Sequence, residues 1–291
     1  MKRDFIRVCL FAAVAVAAHA QSADAPGSLA SIYQSSLAAG LALADTVPIS
    51  TPTVDAGGVV SGASFQPGIV PGSWVTIKGA GLSPVTSDTW DNAIVAGKLP
   101  TILDGVSVSM GSKDAYVYFI SPGQINVQAP DIGMGQVPVT VKTPGGTSLA
   151  VTANVVAQAP AFFQWPGSQA VATRNSDGSL AVKNGTFAGA TTAAAKPGDV
   201  LILWGTGFGP TTPPVAAGIQ VPSDKLYSVS VTVKIGTTDA QVFGAALSPG
   251  YAGLYQIAIQ VPASMADGDF PIKATVAGVA SPDGVILSVK K

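Results

Sequence analysis

The sequence contains no glutamate, one cysteine (Cys9) and one histidine (His19), and charged residues make up only 11% of its 291 positions. All 16 acidic side chains are aspartate. The missing glutamate removes a favoured helix former from a chain rich in valine, threonine and serine, which tilts it towards strands. Long apolar runs are also missing: nothing approaches the ~18 residues that a membrane helix needs. What is present in quantity is turn chemistry, 33 glycines and 22 prolines, beside a hydrophobic share of 47% that is ample for folded cores.

The cysteine and the histidine both fall in a stretch with the marks of a secretory leader. MKRDFIR is basic, Val8 to Ala18 is apolar, and Ala18-His19-Ala20 places small residues at the two positions a signal peptidase reads. Residues 1–20 are therefore expected to be a signal peptide cleaved after Ala20, and no lipobox surrounds Cys9. Cleavage removes Lys2, Arg3, Arg7 and Asp4, so that 12 basic and 15 acidic side chains remain, a formal charge of −3. A mature chain without cysteine or histidine holds no disulfide, no Ser-His-Asp or Cys-His catalytic site and no zinc site of ordinary composition. Mild negative charge without basic runs speaks against nucleic acid as a partner. The expected location is secreted, periplasmic or at the cell surface.

Residues 21–54 read as a low-complexity linker, with Leu29, Ile32, Tyr33, Leu37 and Leu41 at the spacing of a short helix. Beyond it the chain is a succession of short alternating segments bounded by glycine or proline. In Ser73 to Gly79, Val75 and Ile77 share one face, and Trp74, Thr76 and Lys78 the other. DGVSVSMG, AYVYFIS, QINVQAP and VPVTVKTP follow as further strands, and LAVTANVVA closes the unit at about Ala157.

The same order then recurs. PGSWVTIKGAGLSP at Pro71 is echoed by PGDVLILWGTGFGP at Pro197, VSVSMG by VSVTVKIG, GSKDAYVY by GTTDAQVF, and QINVQAP by QIAIQVP. The offset grows from 126 at the first pair to 132 at the Gln124 and Gln256 strands, which locates an insertion at Tyr251 to Tyr255. So many matched segments announce a tandem repeat. The fold expected is all-β: two antiparallel β-sandwiches of the immunoglobulin kind, residues 55–157 and 158–291, the second including a connecting segment, 158–196. That segment carries a hairpin signal at Asn175-Ser176-Asp177-Gly178. Trp74, Thr76 and Lys78 correspond to Val200, Ile202 and Trp204, so a face partly polar in the first copy is wholly apolar in the second. Trp204 is expected to be buried, under either the first domain or the connecting segment.

The pattern Gly198, Val200, Ile202, Gly205, Gly207, Phe208, with Gly72, Trp74, Thr76, Gly79, Gly81 and Leu82 in the first copy, resembles the IPT/TIG group of immunoglobulin-like domains. Together with QINVQAP, NSDGS and GLYQIAIQVP, it is similar to a family of uncharacterised secreted bacterial proteins that carry this unit. The resemblance covers roughly residues 55–291. It implies the fold and no particular activity.

Candidate chemistry is sparse. Gly205-Thr206-Gly207-Phe208-Gly209 lacks nucleotide-loop spacing and runs into Pro210, Pro213 and Pro214 where a phosphate-binding helix would start, so it reads as a strand-end turn. Asp267 and Asp269 read as a turn beside Pro271 rather than as a glycosidase pair, and a calcium site built from them or from Asn175 and Asp177 is disfavoured. No catalytic, cofactor or metal residue is assigned. The ligand-contact candidates are aromatic: Trp90 in a polar loop, weighed evenly between an exposed platform and packing, and Phe162, Phe163 and Trp165, for which packing between domains is favoured. The functional expectation is a non-enzymatic secreted or envelope interaction or adhesion module for polysaccharide or protein. The alternative is a structural spacer; an Asp-dependent hydrolase ranks third.

Overall fold

The computed structural model describes residues 50–291; the expected signal peptide, its cleavage site and the helix around Leu29 to Leu41 lie outside the described residues. The first sandwich contains β1 (Thr53–Ser61), β2 (Trp74–Ala80), β3 (Val106–Met110), β4 (Tyr116–Ser121), β5 (Gln124–Gln128), β6 (Gly135–Thr143) and β7 (Val151–Val155). One sheet runs β1-β2-β5-β4 and the other places β6 between β3 and β7, with every one of these pairs antiparallel. β1 takes up Thr53 and Val54, which composition alone groups with the linker. Alternation decides the core: Val75, Ile77, Val117, Ile120, Ile125 and Val127 from one sheet meet Val106, Val108, Met110, Val139 and Val141 from the other, all fully buried.

The second sandwich is built from β8 (Ala172–Arg174), β9 (Val200–Thr206), β10 (Thr232–Ile235), β11 (Thr238–Leu247), β12 (Tyr255–Gln260), β13 (Gly268–Val276) and β14 (Ile286–Val289). β9, β12 and β11 form one sheet and β10, β13 and β14 the other. β11 joins them, because its first residues pair with β10 and its last with β12. In the first sandwich the same path is split between the short strand Lys113–Asp114 and β4. The repeat thus holds at the level of strand order and extends to a shared irregularity. β4 bulges between Val117 and Phe119, and β11 bulges at the matching place, between Val242 and Gly244.

The hairpin expected at Asn175 to Gly178 forms: Thr173 faces Leu180, and the Gly178 N–H donates to the Arg174 carbonyl with Gly178 at φ 77°. Arg174, the only arginine among the described residues, clamps this hairpin. Its guanidinium reaches Asp199 at 3.1 Å, the Leu180 carbonyl at 2.9 Å and the Ala193 and Ala194 carbonyls at 3.0 and 2.6 Å.

The first described residues and the C-terminus sit at the outer ends of different sandwiches. Thr51 donates to the Gly145 carbonyl beside the outer end of β2, whereas β2 starts at the junction with the second sandwich. At the other extreme, the Lys290 N–H donates to the Ala195 carbonyl, just before the outer end of β9, whose inner end Thr206 touches the first sandwich.

Candidate functional site

The outward faces of β2, β4 and β5 are not left to solvent. Trp74, Trp90 and Tyr118 interlock on them, with ring centroids 5.5, 5.2 and 5.0 Å apart and two of the three pairs edge-on. The same buried cluster takes in Phe163, Trp165, Val171, Val182 and Trp204 from the connecting segment and β9, and Ala252 and Leu254 from the insertion that breaks the repeat. A third apolar core therefore joins the two sandwiches.

Polar groups fix the register of this seam. The Trp74 indole donates to the Ala252 carbonyl at 2.9 Å, and the Trp74 amide donates to the Thr206 hydroxyl at 3.1 Å, which in turn donates to the Gly253 carbonyl at 2.9 Å. Gln128 bridges the halves by accepting from the Gly218 amide at 2.9 Å and donating to the Gly72 carbonyl at 3.0 Å. A tight hairpin of the first sandwich, Val95 to Lys98, meets Ile219 of the second, and the Gln220 amide donates to the Gly97 carbonyl at 2.8 Å. Gly253 is required by contact: at φ 59°, a Cβ there would stand 2.4 Å from the Gly72 carbonyl oxygen.

Trp204 is buried at 4% exposure, as its apolar strand face predicts, and both candidate covers contribute. Its indole donates to the Thr173 hydroxyl of the connecting segment at 3.1 Å, and its ring shares the seam cluster with Trp74 and Trp90 of the first sandwich.

The aromatic candidates land differently from exposed platforms. Trp90, Phe162, Phe163 and Trp165 are 4, 1, 2 and 4% exposed, so none offers a ring face to a ligand. Trp90 packs on Trp74 and Tyr118 because the loop that carries it folds back over the sheet. Phe163 and Trp165 belong to the seam, as packing between domains requires. Phe162 instead faces the core of the second sandwich, 6.2 Å from Phe208, because adjacent residues in an extended chain point to opposite sides.

Of the Gly205 to Gly209 string, Gly205 and Thr206 end β9, and Gly207 and Gly209 lead the chain away from it with positive φ. Asp267 accepts from the Lys291 amide at 2.9 Å. Asp269 faces the Ser288 hydroxyl and, at 3.2 Å, the Lys183 ammonium; these hold its carboxyl below the usual range, the hydroxyl foremost. Asp177 caps its own turn on the Ser179 amide. Among the described residues no three metal-ligating side chains gather in one place.

Where the seam is not filled it opens into a cleft of about 490 Å³. Val70 and Pro71 of the first sandwich face Pro214, Val215 and Ile219 of the second across it, and Met134 stands at the rim with 60% exposure. Tyr255, at the floor, donates its hydroxyl to the Gly209 carbonyl, and burial pushes its pKa well up, so that it remains a donor. Asp131, also in the wall, accepts from the Ala217 amide at 3.1 Å and, after burial, raises the pKa of Tyr116. The cleft is mostly apolar and lies between the two sandwiches, which is the usual character of a ligand site. Sequence reasoning missed Tyr118, Gln128 and the 217–221 loop. The alternation puts Gln124, Asn126 and Gln128 on the outward face of β5, where a polar row reads as a solvent face; only the structure shows that it is covered, at 7, 1 and 3% exposure.

No curated protein matches the chain. Among solved structures it is similar to SGBP-B of the Bacteroides ovatus mixed-linkage glucan utilization locus, solved in complex with a mixed-linkage heptasaccharide, at 11% identity and a TM-score of 0.31, over 77% of this chain and 42% of that one. It is also similar to the γ-CGTase of alkalophilic Bacillus clarkii (14% identity, TM-score 0.26, 83% of this chain and 26% of that one). A third similarity is to domains 5-6 of the S-layer protein SbsC (16%, 0.25, 82% and 98%). The chain spans less than half the length of the first two. The family model of the IPT/TIG domain matches residues 63–159, and the first sandwich, from the loop after β1 to the connecting segment, is thereby an IPT/TIG domain.

Proposed function

We propose that the protein is a non-enzymatic interaction module that works outside the cytoplasm, in the envelope or beyond it, and that it receives an apolar part of a partner protein in the cleft between its two sandwiches. The cleft itself carries this reading: about 490 Å³ of mostly apolar space walled by both sandwiches beside the packed aromatic seam that joins them. Preorganised apolar space lowers the ordering cost of binding. The described residues contain no cysteine, histidine or glutamate, and Asp199, Asp267 and Asp269 are each engaged by a partner.

The test is a pull-down from solubilised envelope fractions with the wild-type protein and with Met134→Arg, which puts a charge at the cleft rim without touching either core. A reproducible partner lost in Met134→Arg supports the proposal, and a partner retained equally by the variant removes the cleft from it. The placement of the first described residues and of the C-terminus at the outer ends of different sandwiches favours a second reading, a rigid spacer; that reading gains if the wild type captures nothing while the molecule stays a single extended rod in solution scattering.

A further inference from the structure

The bulge shared by the two repeats sets Tyr118 in one and Phe243 in the other at the same structural position. Their surroundings are opposite. Tyr118 is 4% exposed, locked between Trp74 and Trp90, whereas Phe243 is 53% exposed. The face around Tyr118 is the one on which the seam is built; its equivalent on the second sandwich is covered at Trp204 and Ala246 but open around Gln241, Phe243 and Gly244.

The cross-strand rows show how this second face is made. Ala258 of β12 stands between Gly244 of β11 and Ile202 of β9, Gln260 between Gln241 and Val200, and Gln256 between Ala246 and Trp204. Ile257 and Ile259 point into the core, so Gln256, Ala258 and Gln260 point out. Compared with the first sandwich, the open part of this face has lost large side chains, while the aromatic gained at Trp204, in place of Lys78, is buried under the connecting segment and the first sandwich. Trp74 is replaced by Val200, Phe119 by Gly244 and Asn126 by Ala258, while the amides at Gln124 and Gln128 persist as Gln256 and Gln260. A Cβ placed on Gly244 would meet nothing within 4 Å, so the space above is open.

None of the outward residues of β9, β12 and this part of β11 is charged. On the strands that make or border this face, Asp239 of β11 pairs with Lys234 at 2.7 Å, and Arg174 of β8 pairs with Asp199 at 3.1 Å. None of Gln241, Phe243, Gly244, Gln256 and Gln260 lines the cleft.

We infer that this face is a second binding surface, for a neutral polysaccharide lying along the strands. Its chemistry matches such a ligand and matches a protein poorly. Side-chain amides each offer donors and an acceptor, as sugar hydroxyls demand. Gln256 and Gln260 stand about 13 Å apart along one strand, enough to hold more than one ring of a chain. The Phe243 ring supplies an apolar plane on which a sugar's C–H face can stack. The absence of charge complements an uncharged glycan and disfavours an acidic one. A protein-docking face would instead carry large apolar anchors, as the seam does. The inference shares with the proposed function only its non-enzymatic, extracytoplasmic premise and is independent of the cleft.

The experiment is affinity electrophoresis of the purified protein through gels containing mixed-linkage β-glucan, xyloglucan, galactomannan or, as the acidic contrast, polygalacturonate. It compares the wild type with Phe243→Ala, Gln256→Ala and Met134→Arg. The expected result is retardation of the wild type by at least one neutral glycan and none by polygalacturonate, with binding at least tenfold weaker in Phe243→Ala and Gln256→Ala and unchanged in Met134→Arg. Thermal melting serves as the folding control, and Phe243→Ala should match the wild type because the ring is exposed. Equal retardation of Phe243→Ala and wild type overturns the inference, as does retardation by the acidic glycan alone or by none. Binding lost only in Met134→Arg assigns the glycan to the cleft and overturns it too. Loss of the envelope-protein partner in the pull-down would bear on the cleft alone.

Discussion

Replacing Trp74 by alanine should uncouple the two sandwiches without unfolding either. Trp74 points away from the core that Val75 and Ile77 build and into the seam, where it is 6% exposed, stacks against Trp90 and Tyr118, and donates to the Ala252 carbonyl at 2.9 Å. Truncating a well-packed tryptophan to alanine costs about 3–5 kcal/mol. For a chain of this size that corresponds to a fall of about 6–20 °C in Tm. The loss falls on the seam, so calorimetry of Trp74→Ala should resolve two transitions where the wild type should give one, and small-angle scattering should show a broader distribution of shapes. Trp74→Phe separates the contributions: it keeps an aromatic ring in the trio but leaves the Ala252 carbonyl without its donor, for a loss of roughly 1–3 kcal/mol. A Trp74→Ala protein that melts in one transition within 2 °C or so of the wild type would refute the reasoning, because such a small shift corresponds to less than about 1 kcal/mol.

Gly253→Ala, with a Cβ 2.4 Å from the Gly72 carbonyl oxygen, should lower the denaturant midpoint and expose the seam to limited proteolysis, whereas Gly133→Ala, whose Cβ meets nothing within 4 Å and whose φ is not positive, should leave the seam protected. Arg174→Lys should destabilise by about 1.5–3 kcal/mol despite keeping the charge, because one ammonium cannot span Asp199 and three carbonyls at once; urea titration reads it. Asp88 is pushed up from 3.8, by burial foremost and then by the neighbouring Asp104, so the fold favours its protonated form. Its contribution is complete below that ordinary value and is lost as pH climbs through the raised one, and Asp88→Asn should raise Tm at pH 7 but not at pH 3. Asp269 runs the other way: its contribution is present above 3.8 and is lost as pH falls, so Asp269→Asn should lower Tm at pH 7 with the difference closing in acid.

Strand order and the composition of the two cores could be read from the chain because they rest on local periodicity. Val75 and Ile77, or Leu201 and Leu203, alternate with residues of the other face whatever lies beyond the sheet. The insertion at Tyr251 to Tyr255 was also legible, as a change in repeat offset, but its purpose was not. Ala252 and Leu254 close the seam through contacts to Trp74, a residue some 180 positions earlier, and no local pattern encodes a pairing at that range.

The fate of the aromatic residues shows the same limit. Tyr118 and Phe243 occupy matching places in matching strands, and Trp90 sits in a loop whose composition is polar. The sequence by itself determined that the chain forms two repeated β-sandwiches with no cysteine, histidine or glutamate after its leader-like segment, because composition and period-two alternation are properties of the chain alone. Only the tertiary structure decided which outward faces become a third core, which cleft stays open and which aromatic ring is left in solvent, because burial of an outward face depends on what another part of the chain lays against it.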